Sequence, residues 1–287
     1  MKYLNKSVFI VIAILIASTS AFAVERMRVG IIFDERSFYA EKPNFSKKDK
    51  QKLAKKIIRN INKVYKNSRL SSSYKFELAK VRDWNFSGGR TFHSLTKLYK
   101  KNKASNRKAK LDLHILQQYY KLDLVIAVIG KDSTSKFAGS ANGVPTYHGY
   151  ARSADFGIIF INGYRSAKQK YVISHEIGHT FGLSHGKAVA DYTGKDIHYK
   201  TNGFAKGANG FGKVNTAKYY NNAYTTLMSY RYVKVRNSRA NSNRYSDKTR
   251  NDCGYYHKEP CGNTNANAVH VLKRYAKEYG KRSEWYR

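Results

Sequence analysis

The chain has 287 residues, with 54 lysines and arginines against 19 aspartates and glutamates, a formal charge of +35. The lysines are spread over nearly every segment, which excludes a basic tail or nuclear signal, and no motif marks specific nucleic-acid recognition. What the charge does suit is contact with a polyanion or an acidic surface, beside the plainer reading of a whole surface adapted for solubility.

Lys2 and Lys6 form a short positive region, residues 8–17 are an unbroken apolar run, and Ala21-Phe22-Ala23 fits a cleavage site. The run is too short for a comfortable membrane span, and no later stretch is apolar enough to cross one. We therefore expect residues 1–23 to be a signal peptide, and the protein to be secreted or periplasmic. Residues 24–287 suit a single domain, expected to be monomeric.

Strand-like and helix-like patterns then alternate, which argues an α/β (α+β) fold. Residues 28–33 (RVGIIF) read as a buried first strand, following Met27. Ser46 caps a helix over residues 47–66, with Leu53, Ile57, Ile61 and Val64 on one face and lysines on the other. Residues 74–81 form a second strand, and a helix is expected around 111–120. Residues 122–130 (LDLVIAVIG) are the most apolar run and predict a central strand, with a polar, glycine-rich edge strand over 137–144. Residues 155–162 form another buried strand, after which Ser166 opens the helix that carries His175 and His179. With a strand beginning so soon after the signal, no propeptide is expected.

That helix carries the chemistry. In His175-Glu176-Ile177-Gly178-His179, the histidines sit one turn apart on one face, so both imidazoles can reach a single metal ion. Glu176 lies beside that face and can take a proton from a water that the metal polarises. Gly182 can adopt the left-handed conformation that reverses the chain and returns His185 as a third ligand. Three protein ligands and one open position describe a catalytic Zn2+ site rather than a structural one.

Residues 186–226 are rich in Gly, Asn, Lys and Tyr and read as a long irregular segment around a cleft, with a short helix near Ala217. His198 within it reads as a surface residue. Residues 238–251 are polar and basic and read as a mobile stretch. Cys253 and Cys261 lie eight apart, and in an exported protein the default is one local disulfide. Free thiols, or a second metal site with His257, are the alternatives. A final helix over residues 265–279 places Val269, Leu272 and Tyr275 on one side, to pack against the zinc subdomain. No internal repeat or second domain is evident.

The pattern H-E-x-x-H-x-x-G-x-x-H, from His175 to His185, resembles the metzincin clan of zinc endopeptidases. The clan also carries a methionine turn, for which Thr225-Thr226-Leu227-Met228-Ser229-Tyr230 is the candidate. The resemblance implies that Met228 forms a hydrophobic floor under the imidazoles. It implies that Tyr230 stands where the astacin and serralysin branches place a tyrosine that binds zinc or the oxyanion, against the plainer reading of a packed tyrosine. The residue after the third histidine is usually acidic in astacins, serralysins and reprolysins; here it is Gly186, which leaves the branch open. The implied fold is a twisted mixed sheet with an antiparallel edge strand above the cleft (residues 24–185), then an irregular C-terminal subdomain closed by a helix (186–287). Along the edge strand a protein or peptide substrate would lie by strand addition. In the clan the residues just after the methionine turn wall the pocket for the side chain after the scissile bond. Arg231 or Lys234 pointing inward would therefore favour an acidic residue there, against the plainer reading of solvated side chains. The loose likeness of the closing segment to bacterial reprolysin-like peptidyl-Asp endopeptidases leans the same way. Two rivals stand beside this reading: a cationic binding or membrane-damaging protein with a vestigial zinc site, and a zinc amidase acting on cell-wall amides.

Overall fold

The computed structural model describes residues 24–86, 89, 91–100, 112, 115–142, 158–181, 183, 212–213, 224–228, 244–253, 260–263 and 266–283. The strand at the sequence's first apolar run, β1 (Glu25–Asp34), lies inside a five-stranded sheet. It pairs in parallel with β2 (Tyr74–Trp84) on one side and β3 (Leu124–Ile129) on the other. Beyond β3 the sheet continues with β5 (Ile158–Asn162), parallel, and ends in β4 (Gly139–Asn142), antiparallel to β5. The order is β2-β1-β3-β5-β4. Every residue of β3 and of β5 is buried. Strands covered on both faces are apolar along their length, which is why these runs read without polar alternation. The exception, Asn162 at the end of β5, is hydrogen-bonded to the backbone of Asp132 and Phe137.

The strand period of two sends alternate side chains of β1 into two cores. Val29, Ile31 and Phe33 join the larger core, and Ile32 joins the smaller one. The larger core is covered by α2 (Lys47–Asn67), which follows the short helix α1 (Ser37–Glu41). Leu53, Ile57, Ile61 and Val64 of α2 are buried there, each contributing about 1.5–3 kcal/mol by burial. Ser46 caps the helix reciprocally: its hydroxyl accepts from the Asp49 amide at 3.1 Å, and the Asp49 carboxylate accepts from the Ser46 amide at 3.3 Å. The same core takes the closing helix α6 (Ala268–Ser283), with Val269 and Leu272 buried as expected. The Tyr74 hydroxyl donates to the Leu272 carbonyl at 2.7 Å, which fastens α6 to the sheet.

The smaller core lies on the opposite face. It is covered by α3 (Phe92–Lys100), through Phe92 and Leu95, and by Leu116. Helix α3 was not anticipated. Its start is fixed by Thr91 and Ser94, each of whose hydroxyls accepts from the other's amide at 3.1 Å. The helix expected around 111–120 is α-helical at Asp112 and π-helical over Ile115–Tyr119 in its described part, and it ends before Lys121, which takes φ 50°.

The expected single helix starting at Ser166 is corrected. Gly163, at φ +81°, turns the chain straight out of β5 into a short helix α4 (Gly163–Lys168), so Ser166 is internal to it. Gln169 is extended and breaks the run, and a separate helix α5 (Val172–Thr180) carries the histidines. The stretch 238–251 is also corrected in its described part, since Tyr245 and Ser246 are fully buried. A two-residue pairing of β6 (Gly212–Lys213) with β7 (Tyr224–Thr225) interrupts the segment expected to be irregular. Residues 214–223, including Ala217, and His198, His257 and Tyr275's side chain lie outside the description.

Candidate metal centre

Helix α5 places His175 and His179 on one face, as their spacing requires. Each ring is oriented by a backbone carbonyl. His175 Nδ1 lies 2.7 Å from the Leu227 carbonyl oxygen, and His179 Nδ1 lies 2.8 Å from that of Leu183. A carbonyl only accepts, so each Nδ1 carries the proton and each Nε2 presents a lone pair. The two Nε2 atoms then converge to 3.2 Å.

Two lone pairs at that distance repel unless a cation is shared between them. Nitrogens about 2.0–2.1 Å from a tetrahedral zinc are about 3.3–3.4 Å apart, close to the separation seen. The donor set therefore fits a zinc ion, with His175 and His179 as the residues that would hold it. Burial holds the His175 imidazole below the ordinary histidine range, opposed by the Leu227 carbonyl, and so favours the neutral, ligating form. Among the described residues no group of three or more His, Cys, Asp or Glu comes together, and His185 lies outside them.

Glu176 is next to the first histidine and is buried. Its side chain packs on the backbone of β4 at Gly139. A Cβ there would stand 2.8 Å from Glu176 Cγ and 3.0 Å from Oε1, so only glycine leaves the carboxylate where it is. Gly178, on the far side of α5, is in the same position toward Met228: a Cβ there would meet the thioether sulfur at 2.5 Å. Met228 is fully buried, with its sulfur against the backbone of the helix that carries both imidazoles.

The turn holding Met228 is itself anchored. The Leu227 amide donates to the Arg244 carbonyl at 2.9 Å, so the residue whose carbonyl orients His175 is held from its other side. Arg244 Nη1 reaches Asp252 Oδ2 at 2.8 Å, and Arg250 also pairs with Asp252. Asp252 precedes Cys253, which is bonded to Cys261 as expected. The carboxyl of Asp252 is held well below the usual range, by Arg250 first and then by Arg244. Tyr230, Arg231, Lys234 and Gly182 lie outside the described residues. Sequence reasoning missed Gly139, Gly178, Tyr245 and the Arg244–Asp252 pair; only Gly178, inside the motif itself, carried a signal.

Residues 26–246 match the Reprolysin_5 family model, described as metallo-peptidase family M12. The chain belongs to metallo-peptidase family M12. That family is one of metal-dependent peptidases, for which zinc is the usual metal. The mixed sheet and its helices are consistent with such a catalytic domain. No curated protein matches the sequence. A solved structure described as a chaperone–substrate complex aligns with TM-score 0.57 and 13% identity over 92% of this chain and 35% of that one, a likeness of fold alone. Metalloproteinase-II from Bacteroides fragilis aligns with TM-score 0.34 and 17% identity over 65% of this chain and 50% of that one. The chain thus spans between about a third and a half of these structures' lengths. Among the described residues no helix is long and apolar enough to cross a membrane.

Proposed function

We propose that this M12 peptidase is a zinc endopeptidase of the metzincin type, with His175, His179 and His185 as ligands and Glu176 as general base. The observation that carries the reading is the 3.2 Å convergence of two Nε2 atoms whose Nδ1 partners are backbone carbonyls. A bound zinc ion supplies the Lewis acidity that polarises the scissile carbonyl and acidifies a water. Glu176 accepts the proton of the attacking water and passes it to the nitrogen of the leaving amine, completing the hydrolysis. Gly139 lets that carboxylate lie against the edge strand β4, where an extended peptide can pair. The Tyr230 hydroxyl donates to the oxyanion, and Met228 supports α5 from below, as in serralysin-like methionine turns. Arg231 and Lys234 line the pocket for the side chain after the scissile bond and give it a preference for Asp or Glu.

The same reading takes residues 1–23 as a secretory signal. It takes 24–185 and 186–287 as two parts of one catalytic domain, exported as a monomer to the periplasm or beyond the cell. A digest of a broad peptide library, with and without a chelator and with zinc added back, tests it. Cleavage lost on chelation and restored by zinc is expected, with acidic residues enriched after the cut. Cleavage that survives chelation overturns the zinc mechanism. Amide hydrolysis confined to cell-wall fragments would point to the amidase, and binding or killing without cleavage to the cationic protein. Dominance of leucine or phenylalanine after the cut, unchanged in Arg231→Ala, removes the acidic pocket alone.

A further inference from the structure

The face of α2 opposite the core carries a run of cations that the peptidase chemistry does not use. At about 100° per residue, Lys48, Lys55, Arg59 and Lys66 form one line along the helix, with Lys52, Lys56 and Lys63 directly beside it, all within an arc of roughly 100°. Their side chains are exposed, and the buried residues of α2 occupy the opposite arc. The line from Lys48 to Lys66 is about 27 Å long at about 1.5 Å per residue. None of these cations has an ion-pair partner among the described residues. The single acid of α2, Asp49, is engaged with Ser46 at the cap.

Like charges at i, i+4, such as Lys48/Lys52, Lys52/Lys56, Lys55/Arg59 and Arg59/Lys63, repel along the helix. A soluble helix ordinarily interleaves glutamate to relieve this. Here Asp49 acts on Lys48 and Lys52 in the first turn, and the rest of the helix carries no acid, so the stripe is suited to an external polyanion. Its chemistry narrows the class. No aromatic side chain stands in the stripe on which a base could stack. No exposed apolar side chain borders it for insertion into lipid, because the apolar face of α2 is spent in the core. Lysine predominates over arginine, giving point charges rather than the planar forks that grip phosphate in pairs. The half-exposed amides of Gln51 and Asn60 border the stripe on its two sides and offer donors and acceptors to hydroxyl groups.

We propose that the outer face of α2 is a docking surface for a linear anionic polysaccharide, which lies along the helix and holds the peptidase near its substrate. The probe is a size-defined heparin oligosaccharide, titrated calorimetrically against the whole chain at several salt concentrations. A stripe variant, Lys52→Ser/Lys55→Ser/Arg59→Ser/Lys63→Ser, is compared with a control, Lys97→Ser/Lys131→Ser/Lys136→Ser/Lys248→Ser, which removes the same charge from exposed positions elsewhere. The slope of log affinity against log salt should fall by about 3 in the stripe variant and by less than about 1 in the control. Peptidase activity on a short peptide should be unchanged in both. Equal losses in the two variants would overturn the site and leave only a whole-surface field, and so would no measurable binding by the wild type. Duplex DNA or phosphatidylglycerol vesicles bound through the stripe as tightly as heparin would overturn the polysaccharide. Acetylation of the unmutated chain gives an independent readout: heparin should shield Lys52, Lys55 and Lys63 but not Lys97 or Lys136, and equal shielding sinks the idea.

Discussion

The Tyr245 hydroxyl donates to the Ser174 carbonyl at 2.5 Å, joining positions 71 apart in sequence. Ser174 precedes His175, and Arg244, next to Tyr245, holds the amide of Leu227, whose carbonyl orients the His175 ring. Adjacent residues thus support both the helix and the ring-orienting turn. Burial pushes the Tyr245 phenol far above its ordinary value, so it stays a donor.

Tyr245→Phe should therefore cost about 1 kcal/mol of stability and also weaken zinc binding in competition with a chelator. Tyr74→Phe removes a comparable bond, to Leu272, from the same core. It should lower the melting temperature similarly and leave zinc affinity unchanged. Equal zinc affinity in the two variants would show that Tyr245 only stabilises.

Glu176→Gln should retain stoichiometric zinc and lose at least about 100-fold in kcat, the contribution expected of a general base. Zinc-loaded Glu176→Gln that cleaved casein near the wild-type rate would remove Glu176 from the proposed role.

The two packing glycines should separate chemistry from stability. Gly139→Ala displaces the Glu176 carboxylate, so kcat should fall about 10–100-fold with zinc content unchanged. Gly178→Ala forces Met228, Tyr245 and Leu183 apart, and all three are fully buried. Overpacking costs about 1–3 kcal/mol, of which alanine's helix propensity returns about 1, so thermal denaturation should show a net loss.

Asp252 predicts a pH dependence. Its carboxyl is depressed in the folded state, so its contribution is fully present above the unfolded value near 3.9 and is lost as pH falls through the folded value. Because the side chain is 45% exposed, the pairing is worth only about 1 kcal/mol. Asp252→Asn should be less stable than wild type at neutral pH by that amount, and the gap should narrow in denaturant titrations below about pH 4. Reducing Cys253–Cys261, which closes a short loop, should cost about 2–3 kcal/mol.

Much of the site and sheet was legible because the signals are local. The spacing of His175 and His179 places both on one helix face, Ser46 with Asp49 announces a capped helix, and β3 and β5 are apolar without alternation because both faces are covered. What was hidden depends on tertiary contact. The Leu227 and Leu183 carbonyls have no sequence signature, since every residue has a carbonyl. Tyr245 sits in a polar, basic stretch, and only the space beneath α5 makes it a core residue. The break between α4 and α5 depends on the Gly163 turn and one extended residue, Gln169, where a smooth helix was expected. Helix α3 was readable in principle from Thr91, Ser94, Phe92 and Leu95.

The order in which the chain is made gives the supports of α5 a temporal meaning. His175, Glu176 and His179 are synthesised well before Leu227, Tyr245 and Leu272, yet the ring orientation, the floor under the helix and the core behind it depend on those later residues. A growing or threading chain that has emerged only through α5 holds the ligands without the frame that aims them. On the proposed function, hydrolytic competence would then arrive only once the closing helix has docked, which would spare the unfinished protein from cutting its neighbours.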